Sequence, residues 1–116
     1  MAIKTSRSVA ASAAALAIAG ILMLPRAARA DDAAAQLYKT KCAGCHGLDG
    51  RGETTMGKAF KLRDLASADV QKQSDADLTT LISAGRNKMP AYGKSLSADQ
   101  VKSLIGYIRG LAKKQG

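Results

Sequence analysis

Both cysteines and the single histidine of this 116-residue chain lie within five consecutive positions, Cys42-Ala43-Gly44-Cys45-His46. That clustering leaves few structures open. A structural zinc site takes four soft or imidazole ligands, and an iron–sulfur cluster takes four cysteines or two with two histidines, so neither count is met. An exported CxxC can serve as a redox dithiol in a thioredoxin-like fold, which expects a strand–helix context, or can close as a plain disulfide. The pattern as a whole is that of covalent haem attachment. Two thiols three residues apart at a helix end point the same way, and each can add to one porphyrin vinyl group. His46 follows at once as an axial imidazole for the iron. One covalently bound haem c is therefore the expected cofactor, tethered by Cys42 and Cys45, and the fold must be built around it.

The first thirty residues read as a secretory signal. Lys4 and Arg7 precede an uncharged, Ala-rich run from Val9 to Leu24, and Ala28-Arg29-Ala30 gives the small-x-small pattern accepted for cleavage. As an uncleaved anchor, sixteen residues would make a helix of roughly 24 Å, short of the ~30 Å hydrocarbon core. Residues 1–30 are thus expected to leave and residues 31–116 to form one exported domain in a bacterial periplasm, without stable membrane insertion. Eighty-six residues with four aromatics and no Trp make a thin core, so a bound group is expected to help fill it. Four of the eighteen basic residues go with the leader, leaving fourteen against nine acids, a net charge of +5. The basic residues are scattered and not in dense runs, so nucleic acid is not an expected partner.

Apolar spacing predicts an all-α domain of about four helices. Asp31 or Asp32 would cap the first, with Ala34, Leu37, Tyr38 and Cys42 on one face and Gly44 stopping it. Gly47 to Lys61 reads as a loop, and Ser67 to Gln73 as a short helix. Ser74 with Asp77 caps a third helix that carries Leu78, Leu81 and Ile82 and ends before Gly85. Ser97 with Gln100 forms a capping box for the last, where Val101, Leu104, Ile105, Ile108 and Leu111 repeat at helical spacing and Leu96 can staple onto Val101.

With His46 the only histidine, a second imidazole cannot fill the sixth iron position, and methionine becomes the candidate. Met1 and Met23 belong to the leader. Met56 lies ten residues after His46, in the loop expected over the same haem face, whereas Met89 lies 43 residues on, beyond a helix and fixed in approach by Pro90. Met89 is the expected second axial ligand, and Met56 a packing residue.

The ordered set of CAGCHG, an NKMPAYG loop and an SADQVKSLIGYIRGL helix resembles the class I monohaem cytochrome c family over essentially all of residues 31–116. The resemblance implies an all-helical fold around the haem, with the first and last helices crossing where Ala34 and Tyr38 meet Leu104 and Tyr107. Ala34 stands where the family often has Gly, implying a slightly wider crossing. Thr55 stands where relatives often place Pro near the carbonyl that receives the histidine ring N–H, a carbonyl that any residue supplies. With His46 and Met89 both bound, the iron has no open position, which implies a monomeric one-electron carrier between redox partner proteins and not an enzyme. The alternative is a haem peroxidase or gas-binding sensor with the sixth position open or weakly held; a third is a structural exported domain without haem. Lys39, Lys41, Lys58, Lys88 and Lys94 are expected to form a basic docking surface.

Overall fold

The computed structural model describes residues 25–116, so the apolar run of the expected leader, Val9 to Leu24, lies outside the described residues. Six helices follow one another: α1 (Arg26–Lys41), α2 (Ala43–His46), α3 (Thr55–Ala59), α4 (Ala68–Gln71), α5 (Asp75–Ala84) and α6 (Ala98–Gln115). No strand occurs among the described residues, only an isolated bridge between Arg86 and Met89.

Helix α1 starts earlier than its sequence suggests. Pro25 is its N-cap, with φ −54° and ψ 137°, and neither Asp31 nor Asp32 caps anything. The run Arg26-Ala-Ala-Arg-Ala consists of strong helix formers behind a proline, and nothing in it stops a helix before the aspartates. The C-terminal end also differs. The helix breaks at Cys42, where φ swings to −117°, and resumes for one turn as α2 with Gly44 inside it. Gly47, at φ +83°, ends that turn, because the reversal needs the positive φ that glycine adopts without a Cβ penalty.

Helices α5 and α6 follow the expected pattern. Ser74 and Asp77 close a capping box at the start of α5, and Ser97 and Gln100 another at the start of α6. All five apolar positions of the α6 stripe are buried, as are Leu78 and Ile82 of α5. Helix α6 is the spine of the domain, with α1 and α5 both packed against it. At the α1–α6 contact Tyr38 and Leu104 are the two most completely buried large side chains, at 0% and 1% exposure. The Tyr38 and Tyr107 rings lie 4.7 Å apart at 35°, and Ala34 is buried beside them. Tilted aromatic pairs of this kind contribute about 0.5–1.5 kcal/mol beyond their burial.

The short helix α4 and its connection to α5 are fixed by polar contacts to α6. The Arg109 guanidinium donates to the carbonyls of Gln71 (2.8 Å) and Gln73 (2.6 Å) and pairs with Asp75 at 2.8 Å. The Gln71 amide in turn donates to Leu65 and Ile108 carbonyls. Few apolar residues lie in this stretch, and charge-assisted bonds to the backbone take the place of a larger core.

Candidate functional site

Between the α1–α2 junction on one side and α5 and α6 on the other lies a cavity of about 380 Å³. Its walls are mostly apolar, with Leu65, Val70, Leu78, Ile82, Leu104 and Ile108 among them, and Cys42, His46, Met89 and Tyr92 reach it from separate parts of the chain. Met56 does not line it and is 45% exposed, a surface position. Cys45 is half-buried on α2 and does not line the cavity either. The structure therefore brings together Cys42, His46 and Met89 at the cavity, while Cys45, beside His46 on α2, does not line it.

The α2 turn is held tightly in place. Its closing residue Gly47 has a carbonyl that accepts the buried Tyr38 hydroxyl at 2.7 Å, and the His46 carbonyl accepts from the Gly52 amide at 2.7 Å. Beneath it, Thr54 donates its hydroxyl to the Cys45 carbonyl at 2.6 Å and accepts from the Gly57 amide at 2.9 Å. That second bond caps α3, a helix that the Gly- and Thr-rich sequence of this segment hides. Gly57 has no room for a side chain, since a Cβ there would collide with the carbonyls of Gly52 and Cys45.

Burial sets the chemistry of the two groups in the cavity wall. It pushes the Cys42 thiol up to about 11, the opposite of the depressed values that mark reactive dithiols, and Cys42 and Cys45 are unbridged. It also lowers the His46 pKa, favouring the neutral imidazole that metal ligation requires. The His46 Nδ1 is buried without a hydrogen-bond partner, so the ring N–H bond expected from the Thr55 region is not made in this structure. An unpartnered buried imidazole, a neutral thiol and a thioether around one apolar cavity fit a haem tethered through thioethers and ligated by nitrogen and sulfur. Among the described residues no Asp or Glu lines the cavity.

Two features of the site are not evident from the sequence. Tyr92 lines the cavity and donates its hydroxyl to the Lys41 carbonyl at 3.0 Å, across 51 residues. Lys61, Arg63, Arg86 and Lys88 also line it, so cations that look scattered along the chain gather at one place. Of the five lysines expected to form a docking surface, all are exposed, and Lys88 also lines the cavity. For Tyr92 the position three residues after Met89 is a weak signal; for the cations there is none, because their proximity depends on how the 60–65 and 86–88 segments fold together.

Comparison with known proteins points the same way. Residues 29–108 match the family model described as cytochrome c oxidase, cbb3-type, subunit III. A cytochrome c6 of Rippkaea orientalis is 35% identical over 94 residues, covering 79% of this chain and 82% of the relative. A cytochrome c6 of Microcystis aeruginosa is 30% identical over 80 residues, 69% of this chain and 95% of the relative. Among solved structures, the c-type cytochrome KustC0563 superposes with a TM-score of 0.63 at 32% identity, covering 67% of this chain and 95% of that one.

The two hydrogen bonds made by the Thr54 hydroxyl yield a direct test of how the α2 turn is supported. Thr54→Val keeps the shape but strands the Cys45 carbonyl and the Gly57 amide, and should cost about 1–3 kcal/mol in denaturant unfolding of the holoprotein. Thr54→Ser should recover most of it. Equal stability of all three forms would mean that the turn is held by other contacts.

Proposed function

Since the chain belongs to the class I monohaem cytochrome c family and carries covalently bound haem c, we propose that it is an exported one-electron carrier that shuttles between redox partner proteins. The observation that carries this reading is that His46 and Met89, from segments 43 residues apart, line one cavity. Haem c supplies a one-electron iron couple when bound, and thioether ligation raises its potential relative to histidine. Cys42 and Cys45 would tether the group, and His46 and Met89 would ligate its iron from the two sides of the chain and so close it to substrates. Among the described residues no carboxylate stands at the cavity to move protons for peroxidase chemistry.

Docking rests on charge. Lys61, Arg63, Arg86 and Lys88 are exposed where they line the cavity, Lys58 is exposed on α3, and neither ion pair of the described residues involves any of them. These cations extend the basic surface expected from Lys39, Lys41, Lys58, Lys88 and Lys94 and suit an acidic partner met briefly. The leader ending at Ala30 is proposed to be removed on export; among the described residues no helix is long and apolar enough to cross a membrane.

Replacement of the two methionines separates the closed site from the open one. Met89→Ala should abolish the weak far-red band of the ferric protein, lower the potential and admit carbon monoxide, while Met56→Ala should do none of these and shift stability by less than about 0.5 kcal/mol at its exposed position. Carbon monoxide binding by the wild-type protein would favour the peroxidase or gas-sensor reading.

The docking surface has its own test in stopped-flow kinetics with an acidic redox partner. The second-order rate should fall as salt rises and the Debye length shrinks from about 10 Å at 0.1 M towards 3 Å at 1 M. A flat or rising rate would make the cations ordinary solvated surface.

A further inference from the structure

The loop between α5 and α6 is folded on itself before it meets the rest of the protein. Arg86 and Met89 exchange backbone hydrogen bonds, the Met89 amide to the Arg86 carbonyl at 2.9 Å and the Arg86 amide to the Met89 carbonyl at 3.2 Å. Asn87 at φ +54° makes the intervening turn. The loop then seats on the last turn of α5, where the Tyr92 and Gly93 amides donate to the Ile82 and Ser83 carbonyls, each at 3.0 Å. Gly85 permits this seat. A Cβ there would stand 2.6 Å from the Met89 carbonyl oxygen and 2.8 Å from the Ala91 amide nitrogen.

These bonds close the loop on itself or seat it on α5, and none of them sets its distance from the segment that carries Cys42 and His46. Among the described residues a single hydrogen bond does so, from the Tyr92 hydroxyl to the Lys41 carbonyl at 3.0 Å. Its acceptor immediately precedes Cys42, and its donor stands three residues after Met89. The Tyr92 ring lines the cavity between them. We propose that Tyr92 is a positioning residue: its hydroxyl straps the methionine loop to the end of α1 and so holds Met89 on the iron. This rests on Met89 being the axial ligand. Loss of the strap leaves the hairpin and its seat on α5 intact but lets the two sides of the cavity move apart, so the methionine is displaced more readily by an outside ligand.

The bland alternative is that the Tyr92 hydroxyl merely satisfies one carbonyl at a helix end, a role that affects stability and not ligation. Titration of the ferric holoprotein with imidazole, followed by loss of the far-red band, distinguishes the two. Tyr92→Phe should bind imidazole about two- to tenfold more tightly than wild type, the range set by one net hydrogen bond. Tyr107→Phe removes a hydroxyl elsewhere in the same domain and should leave the imidazole affinity unchanged. Wild-type affinity in Tyr92→Phe, with any loss confined to its melting temperature, overturns the strap, as does an equal gain in Tyr107→Phe. Met89→Ala serves as the reference. If it binds imidazole strongly while Tyr92→Phe behaves as wild type, the strap alone is wrong; if Met89→Ala binds no more tightly than wild type, the ligand assignment falls and the strap with it.

Discussion

The Tyr38 side chain is the interaction on which the rest of the domain depends. Its ring is fully buried in the α1–α6 contact against Tyr107, and its hydroxyl donates to the Gly47 carbonyl at the close of the α2 turn. One residue thus joins the core to the CxxCH segment. Burial raises the phenol pKa well above its ordinary value, so the hydroxyl remains a proton donor throughout the physiological range and the link does not weaken with moderate changes of pH. Because α5 also packs on α6, and the methionine loop on α5, the positions of both candidate axial ligands trace back to the same helix, α6.

A chain of this size has little apolar material, and the structure shows where it goes. The buried cluster runs along α6 and stops at the cavity, which is lined by the inner faces of the same residues, among them Leu104 and Ile108. Cofactor site and hydrophobic core are therefore one surface. The exposed polypeptide around it is held by directed bonds, from Arg109 to the α4–α5 connection, from Thr54 beneath α2 and from Gln115 to the Asp49 carbonyl.

Much of this was legible in the sequence, for physical reasons that differ from element to element. The caps of α5 and α6 are local devices, Ser74 with Asp77 and Ser97 with Gln100, and local devices can be read locally. The start of α1 in the unprocessed chain is not legible, because the aspartates look like caps while the alanine-rich run before them is itself helical. Gly44 looked like a stop, yet a glycine ends a helix only where the backbone turns to positive φ, and that happens at Gly47. The CxxCH segment and the preference for Met89 over Met56 rest on spacing along the chain; Cys42, His46 and Met89 line the cavity, and Cys45 and Met56 do not. The Tyr92 hydroxyl bond and the gathering of Lys61, Arg63, Arg86 and Lys88 were not legible, since each needs two distant segments to be placed first.

The claim beneath all of this is that the cysteines carry the cofactor covalently and so complete the core. Mass analysis of proteolytic peptides from the purified protein tests it most directly. The peptide containing Cys42 and Cys45 should carry the mass of one haem and no free thiol, even after extraction with acidic acetone. Recovery of that peptide at its bare polypeptide mass, with two free thiols or a disulfide, would contradict the account.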